Sequence, residues 1–157
     1  MALSLEHFKL LNPKVNRYSP GTGGTPDITW QEVCDLLATL DVPSRIFARW
    51  RYGLDHSLRM SLVELITIHL IREDTKNKKR FFKTRLMVYR FSELAVLIHE
   101  NEAHLTKKQK AQSVRVRHWN RKHEEMLRNA GSFLDELDSD VIDSMRKWNR
   151  QVRDEQR

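Results

Sequence analysis

The chain lacks the features that mark several large classes of protein. Its single cysteine, Cys34, excludes an intramolecular disulfide and a zinc site built from cysteine pairs. It has no uncharged apolar run of about 18 residues, which excludes a transmembrane helix. Its five glycines form neither a Walker loop nor a GxSxG elbow, so the sequence gives no support to enzyme function.

Signals for secretion and for metal binding are also missing. The segment MALSLEHFKLLNPK has no basic n-region and contains Glu6, so we expect no secretory signal and a cytoplasmic location. In HENEAH, His99 and His104 lie five residues apart, off a common helix face and outside the HExxH spacing. No metal and no other cofactor are expected, and Cys34 is expected to be a small buried hydrophobe.

Positive charge is concentrated in two runs, residues 76–90 and 105–123. Neither contains a carboxylate, and together they hold 14 of the 28 basic residues, so the remaining 14 basic and 21 acidic residues carry a net charge of −7. A segregated positive potential steers a protein onto a polyanion. A charge run is as often a solvated face, and charge alone leaves both interpretations open.

Apolar residues recur at helical spacing through most of the chain, and no alternating stretch of convincing length interrupts them. The sequence therefore predicts an all-α fold, a single compact helical domain of about seven helices. Residues 1–27 are expected to form a short helix and a Pro/Gly-rich arm, and residues 28–130 a helical body. Gly131 is expected to break the chain before an acidic segment and a last helix, which Ser139 caps, in residues 131–157.

Local signals predict where several helices begin and end. Two pairs have the spacing of a capping box, Thr29 with Glu32 and Ser61 with Glu64. Pro43 is expected to end the helix that starts at Thr29, and Ser44 to cap the next one. A long helix is predicted from Arg80, in which Phe81 and Phe82 are expected to anchor the core rather than to stack on bases.

The second basic run has the apolar pattern of a helix-turn-helix at about residues 91–130. Residues 91–98 supply an apolar stripe for a support helix. Thr106 is expected to cap a short helix through Gln112, followed by a turn at residues 113–114 and a recognition helix from Val116. Val114 and Trp119 are expected to form the buried clamp between the two helices.

The side chains that this arrangement turns outward are suited to DNA. Arginine can donate two hydrogen bonds to guanine, asparagine can bridge adenine, and lysine can contact phosphate. The predicted DNA contacts are Thr106, Lys107, Lys108, Lys110, Arg115, Arg117, His118, Asn120, Arg121 and Lys122. Candidate contacts to RNA or to a polymerase are Lys76, Lys78, Lys79, Arg80 and Lys83.

The segment SVRVRHW is similar to the GVSRRTY-type turn of the helix-turn-helix in sigma-factor region 4. It departs from that pattern at Ser113, where glycine is usual, and at Arg115, where a Ser or Thr cap is usual. With its YSPGTGG leader and helical body, the chain resembles the late-gene antitermination proteins Q of lambdoid phages, in the small, zinc-free branch typified by phage 21. The resemblance implies binding to promoter-proximal DNA and loading onto RNA polymerase holoenzyme with its sigma factor. It also implies read-through of terminators, with nascent RNA as a further candidate partner.

Other functions share parts of this pattern. A phage repressor or a replication-type DNA-binding protein would need the same DNA-binding surface but no contact with a polymerase. A basic helical adaptor protein would need neither DNA binding nor a polymerase. Residues 28–53 have the pattern of a weaker second helix-turn-helix. The apolar face of the last helix is suited either to closing the core or to pairing two protomers on DNA.

Overall fold

The structure, a computed structural model, describes residues 2–12 and 28–157. These residues form a 3-10 helix over Leu5–Leu11, a short one over His56–Leu58, and six α-helices, and they include no strand. The α-helices are α1 (Trp30–Thr39), α2 (Val42–Arg51), α3 (Arg59–Lys76), α4 (Arg85–Asn101), α5 (Lys107–Val114) and α6 (Arg121–Glu155). The all-α prediction is confirmed. The predicted Pro/Gly-rich arm lies outside the described residues except for Asn12.

The contacts divide the chain into two compact units. The first, which we call the terminal unit, consists of Met1–Leu58 and Leu137–Arg157, and the second, the central unit, of Arg59–Glu136. In the terminal unit, the amide of Asn149 accepts from the backbone N–H of Leu3 and donates to its carbonyl, at 2.8 and 2.9 Å. Tyr52 donates to the carboxylate of Asp138. These bonds tie the N-terminal residues and α2 to the last part of α6.

In the central unit, α3 packs against α4. Apolar side chains of these helices, such as Ile66 and Phe91, are fully buried. The hydroxyl groups of Thr67 and Ser92 lie 3.0 Å apart in the same interior, and each also bonds a carbonyl of its own helix, so no buried hydroxyl lacks a partner there. Helix α5 then packs on α4 through Ala111 and Val114, and this packing positions the connection between α5 and α6.

The capping predictions had mixed outcomes. The box at Thr29 is confirmed, because Thr29 and Glu32 exchange hydrogen bonds at 2.7 and 3.3 Å. The box at Ser61 is wrong, since α3 begins two residues earlier and Ser61 lies in its first turn. The expected roles of Pro43 and Ser44 are also wrong. Asp41 caps α2 by accepting from Ser44, and Pro43 lies in the first turn, where its missing N–H removes no hydrogen bond.

The long helix predicted from Arg80 begins instead at Arg85. Thr84 caps it by accepting from the backbone N–H of Met87 at 3.2 Å. Upstream, the carboxylate of Asp74 accepts from the backbone N–H groups of Phe81 and Phe82 at 3.0 and 3.5 Å. These bonds give the two amides partners outside a helix, and residues 77–84 therefore form a loop.

The predicted break at Gly131 and the predicted cap at Ser139 are wrong, because α6 runs through both as one helix of 35 residues. Buried side chains recur along it every three or four residues, namely Met126, Ala130, Leu134, Leu137 and Val141. Their burial outweighs the cost of about 1 kcal/mol that a glycine adds in a helix interior. None of the helices formed by the described residues is long and apolar enough to cross a membrane.

We expect Gly131→Ala to raise the free energy of unfolding by about 0.5–1 kcal/mol, since a Cβ there would meet nothing within 4 Å. Urea denaturation measures this change. Gly53→Ala is the opposite case, because its Cβ would lie 2.7 Å from the carbonyl oxygen of Arg49, and it should destabilise the protein. A loss of stability in Gly131→Ala would show that another group occupies the space beside Gly131.

Candidate nucleic-acid interface

Helix α5 begins where the sequence predicts and ends two residues later. Thr106 accepts from the backbone N–H of Gln109 at 3.2 Å, and the Gln109 amide accepts from the N–H of Thr106 at 2.9 Å, which is a complete capping box. The expected turn at residues 113–114 is wrong, because both residues are helical. The turn lies at Arg115, whose backbone is left-handed with φ 57°. The N–H of Val116 then returns to the carbonyl of Ala111 at 3.0 Å.

The start predicted for the recognition helix at Val116 is wrong, because α6 begins at Arg121. Asn120 caps it: its side-chain oxygen accepts from the backbone N–H of His123 at 3.1 Å, and His123 Nδ1 accepts from the N–H of Asn120 at 3.2 Å. Residues 115–120 thus form a connector of six residues, longer than the three or four residues of a helix-turn-helix turn. The predicted helix-turn-helix is not confirmed.

Trp119 attaches this connector to the rest of the central unit. Its ring lies 5.8 Å from that of Phe91 and 5.4 Å from that of His123, and the side chain is half-buried. The indole N–H donates to the carboxylate of Glu124 at 2.5 Å, and the ammonium group of Lys110 lies 5.7 Å from the indole ring. Val114, the other residue of the expected clamp, is 1% exposed.

The carboxylate of Glu124 joins the connector, α5 and α6. Both of its oxygens lie 3.3 Å from the ammonium nitrogen of Lys110. The hydrogen bond from Trp119, together with the bond and charge of Lys110 and the charge of Arg128, lowers the pKa of Glu124 and keeps it ionised. Lys110, predicted as a DNA contact, is therefore engaged within the protein. Asn120 is also engaged, because bridging adenine would need the oxygen that caps α6.

The fold brings the two basic runs together at the start of α6. Lys79, in the loop at 77–84, pairs with Glu125, so this candidate RNA or polymerase contact is also engaged. The ammonium groups of Lys79 and Lys122 lie 5.3 and 5.1 Å from the ring of Phe81. The loop therefore lies against the first turn of α6, an arrangement that no local sequence signal indicates.

Ten cations of the two runs are exposed and form no ion pair within 4 Å among residues 2–12 and 28–157. We call them the basic surface: Lys76, Lys78, Arg80, Lys83, Lys107, Lys108, Arg115, Arg117, Arg121 and Lys122. His118 is exposed as well and lies in the connector, whereas Thr106 uses its hydroxyl oxygen as the cap of α5. The exposure predicted for Arg115, Arg117, His118 and Arg121 is confirmed, although the first three lie in the connector rather than on a helix.

Three residues of the basic surface have a left-handed backbone. The φ angles are 52° at Lys78, 53° at Arg80 and 57° at Arg115. This conformation costs about 1 kcal/mol or more for a residue other than glycine, asparagine or aspartate. Glycine would relieve this cost at each of the three positions but would remove the cation.

The second helix-turn-helix candidate does not present a comparable surface. Helices α1 and α2 are separated by two residues, and Arg45 donates to the carbonyls of Leu37 and Leu40 at 3.1 and 3.0 Å. Arg49 pairs with Asp55 at 3.4 Å. These arginines stabilise the terminal unit and are not available to a partner.

Two further findings bear on other kinds of site. Among the described residues, no group of three or more His, Cys, Asp or Glu side chains is placed to hold a metal ion. Cys34 is half-buried, and burial raises the pKa of its thiol, which disfavours the reactive thiolate.

No protein-family model matches the chain, and no curated protein or solved structure is significantly similar to it. The resemblance to the antitermination proteins Q therefore stays a prediction from sequence.

We expect the cap of α6 to weaken in acid. Burial lowers the pKa of His123 below its ordinary value of 6.5, and the charge of Lys122 lowers it further, against the raising effect of the His118 backbone. The unfolded chain then binds the proton more readily, so the contribution to stability is present above the ordinary pKa and is lost as the pH falls through the folded pKa.

His123→Gln keeps a hydrogen-bond acceptor at the third helical position without a titrating group. Between pH 7.5 and 5, the wild type should lose more unfolding free energy than this variant, as measured by urea denaturation at each pH. Equal losses in the two proteins would contradict the assignment.

Proposed function

We propose that this protein is a sequence-specific DNA-binding transcription regulator that binds through the basic surface. The observation that carries the proposal is the connector at 115–120, which presents Arg115 and Arg117 to solvent while Trp119 holds it against the central unit. Neither arginine is neutralised by a carboxylate among the described residues. An exposed cation without an internal partner is available to phosphate or to a base edge.

In this proposal the connector reads DNA in place of a recognition helix. Its two ends are held by the left-handed turn at Arg115 and by the cap that Asn120 forms with His123. A segment that is held at both ends loses less conformational entropy on binding than a free loop does. Arg117 and His118 can therefore be ordered on a base edge at a lower cost in free energy. Lys107 and Lys108, in the first turn of α5, are suited to phosphate, which the positive end of a helix also attracts.

More specifically, we propose a phage transcription antitermination factor that acts in the host cytoplasm. The resemblance of SVRVRHW to the region-4 turn supports this step, with RNA polymerase holoenzyme and its sigma factor as partners. Lys76, Lys78, Arg80 and Lys83 would then contact RNA or polymerase. A terminator read-through assay with purified polymerase tests it, since a repressor or a replication protein would bind DNA without increasing read-through.

Selection of bound sequences from a random duplex pool tests DNA binding itself. With about six to eight phosphate contacts, the logarithm of affinity should fall with the logarithm of salt concentration at a slope of about −5 to −7. A basic helical adaptor would enrich no sequence and show no such slope.

On the selected site, Arg117→Ala should cost about 1–3 kcal/mol of binding free energy, because it removes a contact to a base edge. Lys107→Ala should weaken binding to all sequences about equally and reduce the salt slope by about one. Fluorescence anisotropy over a salt series measures both effects. Lys147→Ala, which removes an exposed cation outside the basic surface, is the matched control, and unchanged specific binding in Arg117→Ala would reject the connector as the reading element.

Arg115→Gly should separate stability from binding. Glycine relieves the left-handed backbone, so the free energy of unfolding should rise by about 1 kcal/mol while nucleic-acid affinity falls. Glu102→Gly is the matched control, because Glu102 ends α4 in the same conformation, with φ 49°. The nucleic-acid affinity of that variant should not fall. Unchanged affinity in Arg115→Gly would remove Arg115 from the basic surface.

A further inference from the structure

An open cavity of about 400 Å³ lies at the surface of the central unit. Its walls come from α4, from the α4–α5 connection and from the first half of α6. Ile98, Leu105, Leu127 and Leu134 give it an apolar lining. Its volume and apolar lining lie within the range of clefts that bind small organic ligands.

Gly131 opens onto this cavity and has no other explanation in the structure. It lies inside a continuous helix, where alanine would be about 1 kcal/mol more stable. Nothing lies within 4 Å of where its Cβ would be, and its backbone is not left-handed, so neither crowding nor conformation requires glycine. What glycine does provide is space on the cavity side of α6.

One exposed cation at the cavity, Arg128, is placed to pair with an anionic group on a ligand. Glu124 is already paired with Lys110 and bonded by Trp119. Arg128 is exposed on the same face of α6, one turn before Gly131, and forms no ion pair within 4 Å among the described residues. Asp135 also lines the cavity, but it lies about 10 Å further along the helix than Arg128, so an anion beside Arg128 is closer to the cation than to this carboxylate.

The cavity shares two wall residues with the network that holds the connector. Lys110 and Glu124 line the cavity, and Glu124 accepts the indole N–H of Trp119. A ligand that shifts either side chain must therefore change the position of Trp119 or the strength of its hydrogen bond. The connector carries Arg115 and Arg117, so the same shift reaches the basic surface.

We infer that this cavity is an effector site for a small amphipathic anion, with its apolar body against Ile98, Leu127 and Leu134 and its charged group beside Arg128. Occupancy alters the Lys110–Glu124–Trp119 network and, through it, the affinity of the basic surface. The last step rests on the function proposed above, whereas the cavity and its response at Trp119 do not.

The test uses the full chain and two probes, 8-anilinonaphthalene-1-sulfonate and N-phenyl-1-naphthylamine, which share an apolar body and differ in the sulfonate. Fluorescence titration of the sulfonate probe should show one saturable site. Gly131→Leu, which fills the cavity, should weaken it about tenfold or more, and Gly131→Ala should change it less than about twofold. Arg128→Ala should weaken the sulfonate probe about threefold or more and leave the uncharged probe unchanged.

The response at Trp119 is read from its indole N–H cross-peak in ¹H–¹⁵N spectra, assigned with Trp119→Phe. The peak should shift in step with probe occupancy in the wild type and not in Gly131→Leu. Circular dichroism checks that each variant is folded. If Gly131→Leu is unfolded, the result for Arg128→Ala decides whether the probe binds in this cavity. The probe and the selected DNA should then change each other's affinity by the same factor.

The absence of saturable binding of the sulfonate probe would overturn the proposed site. So would an unchanged affinity for this probe in Gly131→Leu, or an unchanged affinity in Arg128→Ala. A bound probe that moves neither the Trp119 cross-peak nor the DNA affinity would overturn the effector role. If the protein binds no nucleic acid, the proposed function fails, and the titrations and the Trp119 cross-peak still decide whether the cavity binds an anion and whether binding is felt at Trp119.

Discussion

The connector that carries the candidate reading residues depends on one carboxylate, Glu124. Hydrogen bonds to an ionised acceptor contribute about 1.5–3 kcal/mol each, and Glu124 takes one from Trp119 and pairs with Lys110. The apolar core of the central unit includes buried residues of α3, α4, α5 and α6, and Trp119 packs on one of them, Phe91. The position of the connector and the packing of the core are therefore linked through Trp119.

Helix α6 shows how a tertiary pattern overrides local signals. Gly131, Ser139 and a run of carboxylates all favour a break, yet buried side chains repeat along the helix on both sides of them. Each fully buried aliphatic side chain contributes about 1.5–3 kcal/mol, more than a glycine or a serine costs in a helix. The carboxylates remain on the outer face, and Asp138 accepts a hydrogen bond from Tyr52.

The sequence was sufficient where a structure depends on neighbours a few residues apart. The capping boxes at Thr29 and Thr106 involve partners three residues away, and the all-α fold follows from periodic apolar residues. It was not sufficient where the partner is remote, as for Lys79 and Glu125, which are 46 residues apart. Nor does any local rule indicate a left-handed arginine at position 115, which is why the sequence predicts a helix from Val116 where the structure has the connector. The exposure of Arg117 was predictable because neighbouring apolar residues turn inward in either conformation.

The left-handed residues at 78, 80 and 115 offer a way to detect the loss of a binding partner by comparing related sequences. Glycine and asparagine are better tolerated at such positions, and mutation supplies them continually. In a lineage where the cations served no purpose, these three positions would drift toward the smaller residues, while the buried positions of α3 and α4 would stay apolar. Replacement of these three cations, with the buried positions unchanged, would then indicate from sequences alone that a partner had been lost.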